Sequence, residues 1–204
     1  MSQPLEIKVK SSILDRDRTL IIDPEYIEFD DKDLKESKPA RIAKSDITGF
    51  KFGLKPVRGY YFYIGRIYCI DVKGSQDQQI KIRIKSLYGI RKKELTQKYS
   101  SIVKALYGYY MDEIILKYLN QFSNKEQFEI AGVIFNTDGV IFNEKIGVVT
   151  WFDLGTRTYY NYYTLYSMQQ PAKYKAFEYI NDWNTAILYS VSRQILKDKN
   201  LWSE

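Results

Sequence analysis

The sequence predicts a mainly β chain of the α+β class, with two strongly bent antiparallel sheets, each capped by one C-terminal helix. Three observations carry this. First, two stretches repeat. Leu20-Ile21-Ile22-Asp23-Pro24-Glu25-Tyr26-Ile27-Glu28-Phe29 and Val133-Ile134-Phe135-Asn136-Thr137-Asp138-Gly139-Val140-Ile141-Phe142 both read apolar run, polar turn, apolar run. Each is followed by an apolar residue and an Asp-aliphatic pair, Ile42 with Asp46-Ile47 and Val149 with Asp153-Leu154. Internal repeats of this kind decide fold organisation before any single element does. Second, 19 Tyr, 10 Phe and 3 Trp among 204 residues favour strands. Third, each copy closes on a segment whose apolar spacing is helical.

The elements follow in order. Leu5–Lys10 alternates apolar and charged residues, the pattern of a half-buried strand. Arg18–Asp23 and Glu25–Asp30 form strands around an Asp23-Pro24-Glu25 turn. Asp30–Pro39 is a charged loop, and Arg41–Phe52 a strand bent at Gly49 or Gly53. Lys55–Gly59 breaks the chain, Tyr60–Ile64 and Arg66–Val72 are strands, and Lys73–Asp77 turns. Gln79–Lys85 alternates, with Ile80, Ile82 and Ile84 inward. Tyr99, Val103, Leu106, Tyr110, Ile114 and Tyr118 then mark one face of a helix over about 94–121. Gly108 inside it implies close packing, since it costs roughly 1 kcal/mol relative to Ala. Ser123-Asn124-Lys125 ends the helix and separates a first module, 1–124, from a second, 125–204.

In the second module, Phe128–Phe135, Val140–Asn143 and Val148–Phe152 are strands, and Thr137-Asp138-Gly139 is a turn of residues that tolerate positive φ. Arg157–Met168 is a long aromatic strand and Lys173–Ile180 its return. Asn181 or Asp182 caps a final helix over about 182–199, with Trp183, Ile187, Leu188, Val191 and Ile195 on one face.

Composition excludes several chemistries. There is no histidine, which removes Ser-His and Cys-His nucleophile pairs and His-ligated metals. The single cysteine, Cys69, removes intramolecular disulfides and thiolate clusters. No catalytic set, metal site or cofactor is expected, and no phosphate-binding glycine motif occurs. The Met1–Lys8 segment lacks the apolar core of a secretory leader, and no run is apolar enough to span a membrane, so a cytoplasmic protein is expected. The net charge of +6 is uneven: 13 Lys and Arg stand against 4 Asp and Glu between Lys44 and Lys98. Such a block attracts anions without selecting one.

This arrangement resembles the pleckstrin-homology (PH) superfold, in which some seven short antiparallel strands form a partly open barrel closed by a C-terminal helix. The apolar-turn-apolar openings, Asp46-Ile47, Asp153-Leu154, Trp151 and the Asp182-Trp183-Asn184 helix start are similar to those of the bacterial PH-like domains. The likeness implies a tandem pair over nearly the whole chain. The second copy is short for this fold, about 80 residues, which leaves room for fewer strands. The Asp31–Arg41 loop carries Lys32, Lys35, Lys38 and Arg41 but also Asp31, Asp33 and Glu36, unlike the Lys-rich loop with which eukaryotic relatives hold phosphoinositides. Lipid binding is therefore not implied by the resemblance.

Two clusters are candidate binding sites. Lys81, Arg83 and Lys85 share one face of a strand, with Arg91, Lys92 and Lys93 beyond it. They suit phosphate groups or an anionic bilayer. A solvated face that also discourages edge pairing is the plainer alternative, and the general rule on charge runs favours it. In the tyrosine cluster, alternation along one strand sends Tyr160, Tyr162 and Tyr166 to one side and Tyr159, Tyr163 and Leu165 to the other. Packing within the chain, a protein interface and a base-stacking platform are its readings in that order, with nucleic acid disfavoured. Asp46 and Asp153, at equivalent positions, are expected to accept backbone hydrogen bonds at strand ends rather than to catalyse. Cys69 reads as a small core residue. The leading expectation is a non-enzymatic binding or assembly module acting through protein contacts, with a homo-oligomer in view. The alternative is attachment to anionic membranes or phosphate groups through the basic strand face. An enzyme would need converging carboxylates, and the spacing offers none.

Overall fold

The computed structural model describes residues 3–10, 16–30, 39–143, 145 and 147–202. The chain is a mixed α+β protein, mostly strands, arranged in four antiparallel sheets. It divides into two compact units, Met1–Met111 and Asp112–Glu204. The expected boundary at 124/125 falls instead at the end of a helix within the second unit.

The first unit opens with a four-stranded meander: β1 Leu5–Val9, β2 Arg18–Ile22, β3 Tyr26–Phe29 and β4 Ala40–Ala43. Alternation buries Leu20, Ile22, Ile27, Phe29 and Ile42 on its inner face. A three-stranded meander follows, β5 Ile47–Arg58, β6 Tyr63–Gly74 and β7 Gln79–Leu87. Its inner face contributes Phe50, Tyr68, Ile70, Val72, Ile80, Ile82 and Ile84. Helix α1, Lys92–Leu106, covers these faces with Leu95, Ile102 and Leu106, and a π segment, Tyr107–Met111, adds Tyr110 and Met111. Two phenol hydroxyls carried into this core are satisfied. The Tyr68 hydroxyl meets Thr96 Oγ1 at 2.6 Å, and the Tyr110 hydroxyl donates to the carbonyls of Asp23 and Tyr26, each at 2.7 Å. Burial pushes the Tyr110 phenol well above its ordinary pKa.

The second unit starts with α2, Asp112–Ser123. It then runs through a four-stranded meander, β8 Phe128–Ile130, β9 Val133–Phe135, β10 Gly139–Ile141 and β11 Val149–Thr150. A three-stranded meander follows, β12 Leu154–Thr158, β13 Tyr162–Ser167 and β14 Tyr174–Glu178, and α3, Thr185–Asp198, closes the unit. Phe128 stacks on Phe135 at 5.0 Å, while Tyr118 and Phe122 of α2 meet Phe128 and Trp151 at 5.2 and 5.3 Å. Ile187, Leu188, Val191 and Ile195 of α3 complete the core. Among the described residues, four strands, three strands and a helix thus occur in that order twice, and the second unit, though shorter, has as many strands as the first.

Several expected elements differ. The strand expected over 41–52 is two strands from different sheets, split by a 3₁₀ turn at Lys44–Asp46. Lys55–Gly59 is not a break: β5 runs through Pro56 to Arg58, which an edge strand tolerates because its outer amides need no partner. Tyr60–Phe62 is no strand but the apex of the β5–β6 hairpin, closed by Gly59 N–H donating to the Phe62 carbonyl at 2.7 Å. Phe128–Phe135 is a hairpin, turned by Ala131 and Gly132 at φ of 54° and 73°. Gly139 has no positive φ. Its hydrogen is needed because a Cβ there would lie 2.0 Å from the Val149 carbonyl oxygen. Gly108 packs against nothing, since a Cβ there would meet no atom within 4 Å. Neither Asn181 nor Asp182 caps α3. Asn184, at φ of 64°, precedes it without a side-chain cap, and the Asp182 carboxylate accepts the Glu178 amide instead. The expected loop over Asp30–Pro39 falls on residues 31–38, outside those described.

Candidate functional site

The tyrosine cluster is a hairpin rather than one strand. β12 ends at Thr158, Tyr159 N–H donates to the Tyr162 carbonyl at 2.8 Å, and β13 returns. This turn changes the sidedness expected from simple alternation. Tyr163, Leu165 and Ser167 face inward and are buried. Tyr163 is inaccessible to a partner: its hydroxyl meets Ser192 Oγ at 2.7 Å, its ring packs edge-on against Tyr189, and burial raises its pKa. Tyr159 joins the opposite side, stacking on Tyr162 with centroids 4.4 Å apart. Tyr160 sits exposed at the turn.

Register builds the outer face. Gly155 pairs with Tyr166, Tyr166 with Tyr174, Arg157 with Thr164, and Thr164 with Ala176. The floor of the face is therefore small: Thr164 and Ala176. Tyr159 and Tyr162 stand at one end, Tyr166 and Tyr174 at the other, with Pro171 beside them, and they bound a groove of ≈ 600 Å³. A Cβ on Gly155 would lie 2.4 Å from Tyr166 Cζ, so the Tyr166 ring rests directly on the Gly155 backbone. Arg157 Nη1 approaches the Tyr159 hydroxyl at 3.4 Å and is the groove's single charged lining group. Phenol rings and hydroxyls and a guanidinium around a small-residue floor can bind an apolar segment and hydrogen-bond its carbonyls. Tyr174, Arg157, Pro171, Thr164 and Ala176 are the lining residues that sequence reasoning did not single out. The signal for Tyr174 was its place opposite Tyr166, which becomes readable only once the hairpin is known.

The basic strand face is divided. Lys81 and Lys85 of β7 are exposed, but Arg83 turns onto Asp71 of β6. Arg83 Nη2 donates to Asp71 Oδ2 at 3.0 Å, and Nη1 donates to the Ile82 carbonyl at 2.9 Å. Burial opposes the Arg83 charge, and the Asp71 carboxylate more than offsets it, holding its pKa above the ordinary value. Lys51 Nζ approaches the same carboxylate at 3.8 Å. Arg91 is engaged by Glu94 at 2.8 Å, and Lys92 and Lys93 are exposed at the start of α1.

Asp153 accepts the Ser167 hydroxyl at 2.6 Å and the Gln169 amide at 2.7 Å, which clamps the turn into β12 against the end of β13. Asp46, at the corresponding turn into β5, is exposed and receives only a 3.5 Å approach from the Ser45 hydroxyl. Burial pushes the Cys69 thiol up, away from thiolate reactivity. Among the described residues no group of three or more Cys, Asp or Glu side chains gathers as a metal site, and no helix is long and apolar enough to cross a membrane. Compared with known proteins, the chain matches no family model, curated protein or solved structure.

Proposed function

We propose that the chain is a tandem pair of PH-like modules working in the cytoplasm as a non-enzymatic binding or assembly protein, and that the groove on the β12–β14 sheet engages a protein partner or a second copy. The groove carries this reading. Four tyrosines, Tyr159 and Tyr174 exposed and Tyr162 and Tyr166 half-buried, surround a small-residue floor outside the core that Tyr163 and Leu165 already fill. Tyrosine supplies large contact area at low entropic cost and is enriched where proteins meet. The order of four strands, three strands and a helix in both halves supports the PH-like assignment. The absence of histidine supports a binding role over catalysis.

The test is Tyr162→Ser combined with Tyr174→Ser, outer-face changes that leave the core intact. Sedimentation velocity from low to high micromolar concentration should show association of the wild-type chain, or of the chain with a partner recovered by cross-linking. The double variant should weaken it at least tenfold. A wild-type chain that stays monomeric throughout and recovers no partner removes the proposal.

A further inference from the structure

A second surface, in the first unit, is built differently. The β5–β6 hairpin ends in Tyr60, Tyr61, Phe62 and Tyr63, which are 95%, 90%, 64% and 65% exposed. The rings of Tyr60 and Tyr61 touch each other at 5.4 Å. The β7–α1 loop lies alongside, tied on by Tyr88 N–H donating to the Ile64 carbonyl at 2.7 Å. It adds Tyr88, 71% exposed, and Ile90, 50% exposed. Tyr88 and Arg91 hold positive φ of 51° and 53°, a conformation that bulky side chains rarely adopt.

The charge around this apex is almost all of one sign. Between Arg58 and Arg66, and between Tyr88 and Glu94, five cations stand against one carboxylate, and that carboxylate is engaged by Arg91. Arg58 pairs in register with Tyr63. Arg66 lies three residues further down β6, about 10 Å behind the apex at the rise of a strand. Lys92 lines a cleft with Phe62 and Tyr63. Tyr60, Tyr61 and Phe62 at the turn are therefore outermost, with Arg58 beside Tyr63 one pair back and Arg66 further down the strand.

From this layering we infer that the β5–β6 hairpin tip, with Tyr88 and Ile90, inserts into the interface of an anionic lipid bilayer. Tyrosine rings settle at headgroup depth with their apolar bodies inward and hydroxyls toward water, and the cations behind them fall level with lipid phosphates. A single-stranded nucleic acid needs cations tracking a groove beside its stacking platform, whereas here they sit behind a convex end on both arms of a hairpin. The contact differs from the Lys81–Lys85 face, where Arg83 is committed to Asp71. It is also independent of the groove in the second unit.

The full-length chain should co-sediment with sucrose-loaded phosphatidylcholine vesicles containing phosphatidylserine at low salt. It should not bind vesicles of phosphatidylcholine alone, and added salt should release it. The triple variant Tyr60→Ser, Tyr61→Ser, Phe62→Ser should lose at least tenfold in affinity while its circular dichroism and unfolding midpoint stay those of wild type. Arg58→Ser with Lys92→Ser should weaken binding severalfold. Lys81→Ser with Lys85→Ser, and the groove variant Tyr162→Ser with Tyr174→Ser, should bind vesicles as wild type does. The inference is overturned by wild-type protein that ignores phosphatidylserine vesicles, or by a triple variant that binds them unchanged. Tip-dependent capture of single-stranded oligonucleotide, or tip-dependent self-association, without vesicle binding overturns it equally.

Discussion

Single residues carry much of the local logic, and one of them sits in the wrong conformation for its type. Ala131 occupies the first position of the β8–β9 turn at φ of 54°, and Gly132 follows at 73°. This is the backbone of a two-residue hairpin turn, for which Asn-Gly is preferred. An alanine held left-handed costs roughly 1 kcal/mol that Asn largely avoids by local hydrogen bonding. Ala131→Asn is therefore expected to stabilise the protein by about 0.5–1 kcal/mol, read as a rise in the urea midpoint at constant slope. The same mismatch explains why the hairpin was hidden in the sequence. Ala-Gly lacks the turn signature of Asn-Gly, so Phe128–Phe135 reads as one apolar run. Tyr163 illustrates the limit at the site. Its type suits an interface, but the turn at Tyr159–Asn161 fixes it inward against Ser192, and only the pairing register reveals that.

At the scale of elements, the alternating strands were the most legible. Leu5–Val9, Arg18–Ile22 and Gln79–Leu87 lie where period two places them, because one face is buried and the other wet. Boundaries set by tertiary context were not legible. The sheet change at Lys44–Asp46 has no glycine or proline to mark it, and Pro56 reads as a breaker until β5 is known to be an edge. The long helix was readable, but its π segment was not. An extra residue per turn at Tyr107–Met111 shifts the apolar stripe, so adjacent Tyr110 and Met111 are both buried. Gly108 lies in that segment with open space at its Cβ position. Gly108→Ala is accordingly expected to raise stability by about 0.5–1 kcal/mol, measured by denaturant titration. A loss instead would mean that the π segment depends on glycine's freedom.

Across the whole molecule, the missing histidine shapes the response to pH. No side chain has an ordinary pKa between about 5 and 8, and burial moves the Cys69 thiol further above that window. Folding stability should then be nearly flat from about pH 5.5 to 8. Below it, carboxylates held in the fold set the decline. The Asp30 carboxylate accepts hydrogen bonds from Arg16, one at 2.7 Å, which holds its pKa below the usual value. A depressed folded-state pKa contributes stability above the unfolded value and loses it as pH falls through the folded one. Urea titrations across pH should show the plateau, and Asp30→Asn should soften the acid limb while lowering the plateau slightly. A stability change centred near pH 6.5 would contradict this account.

Four consecutive aromatic residues at the end of a long strand pair would ordinarily invite fibril growth, since a neighbouring molecule could continue the ladder along β5. Pro56 sits in that rim and supplies no amide hydrogen to a newcomer. The chain can thereby keep an adhesive extremity in water without templating its own polymerisation.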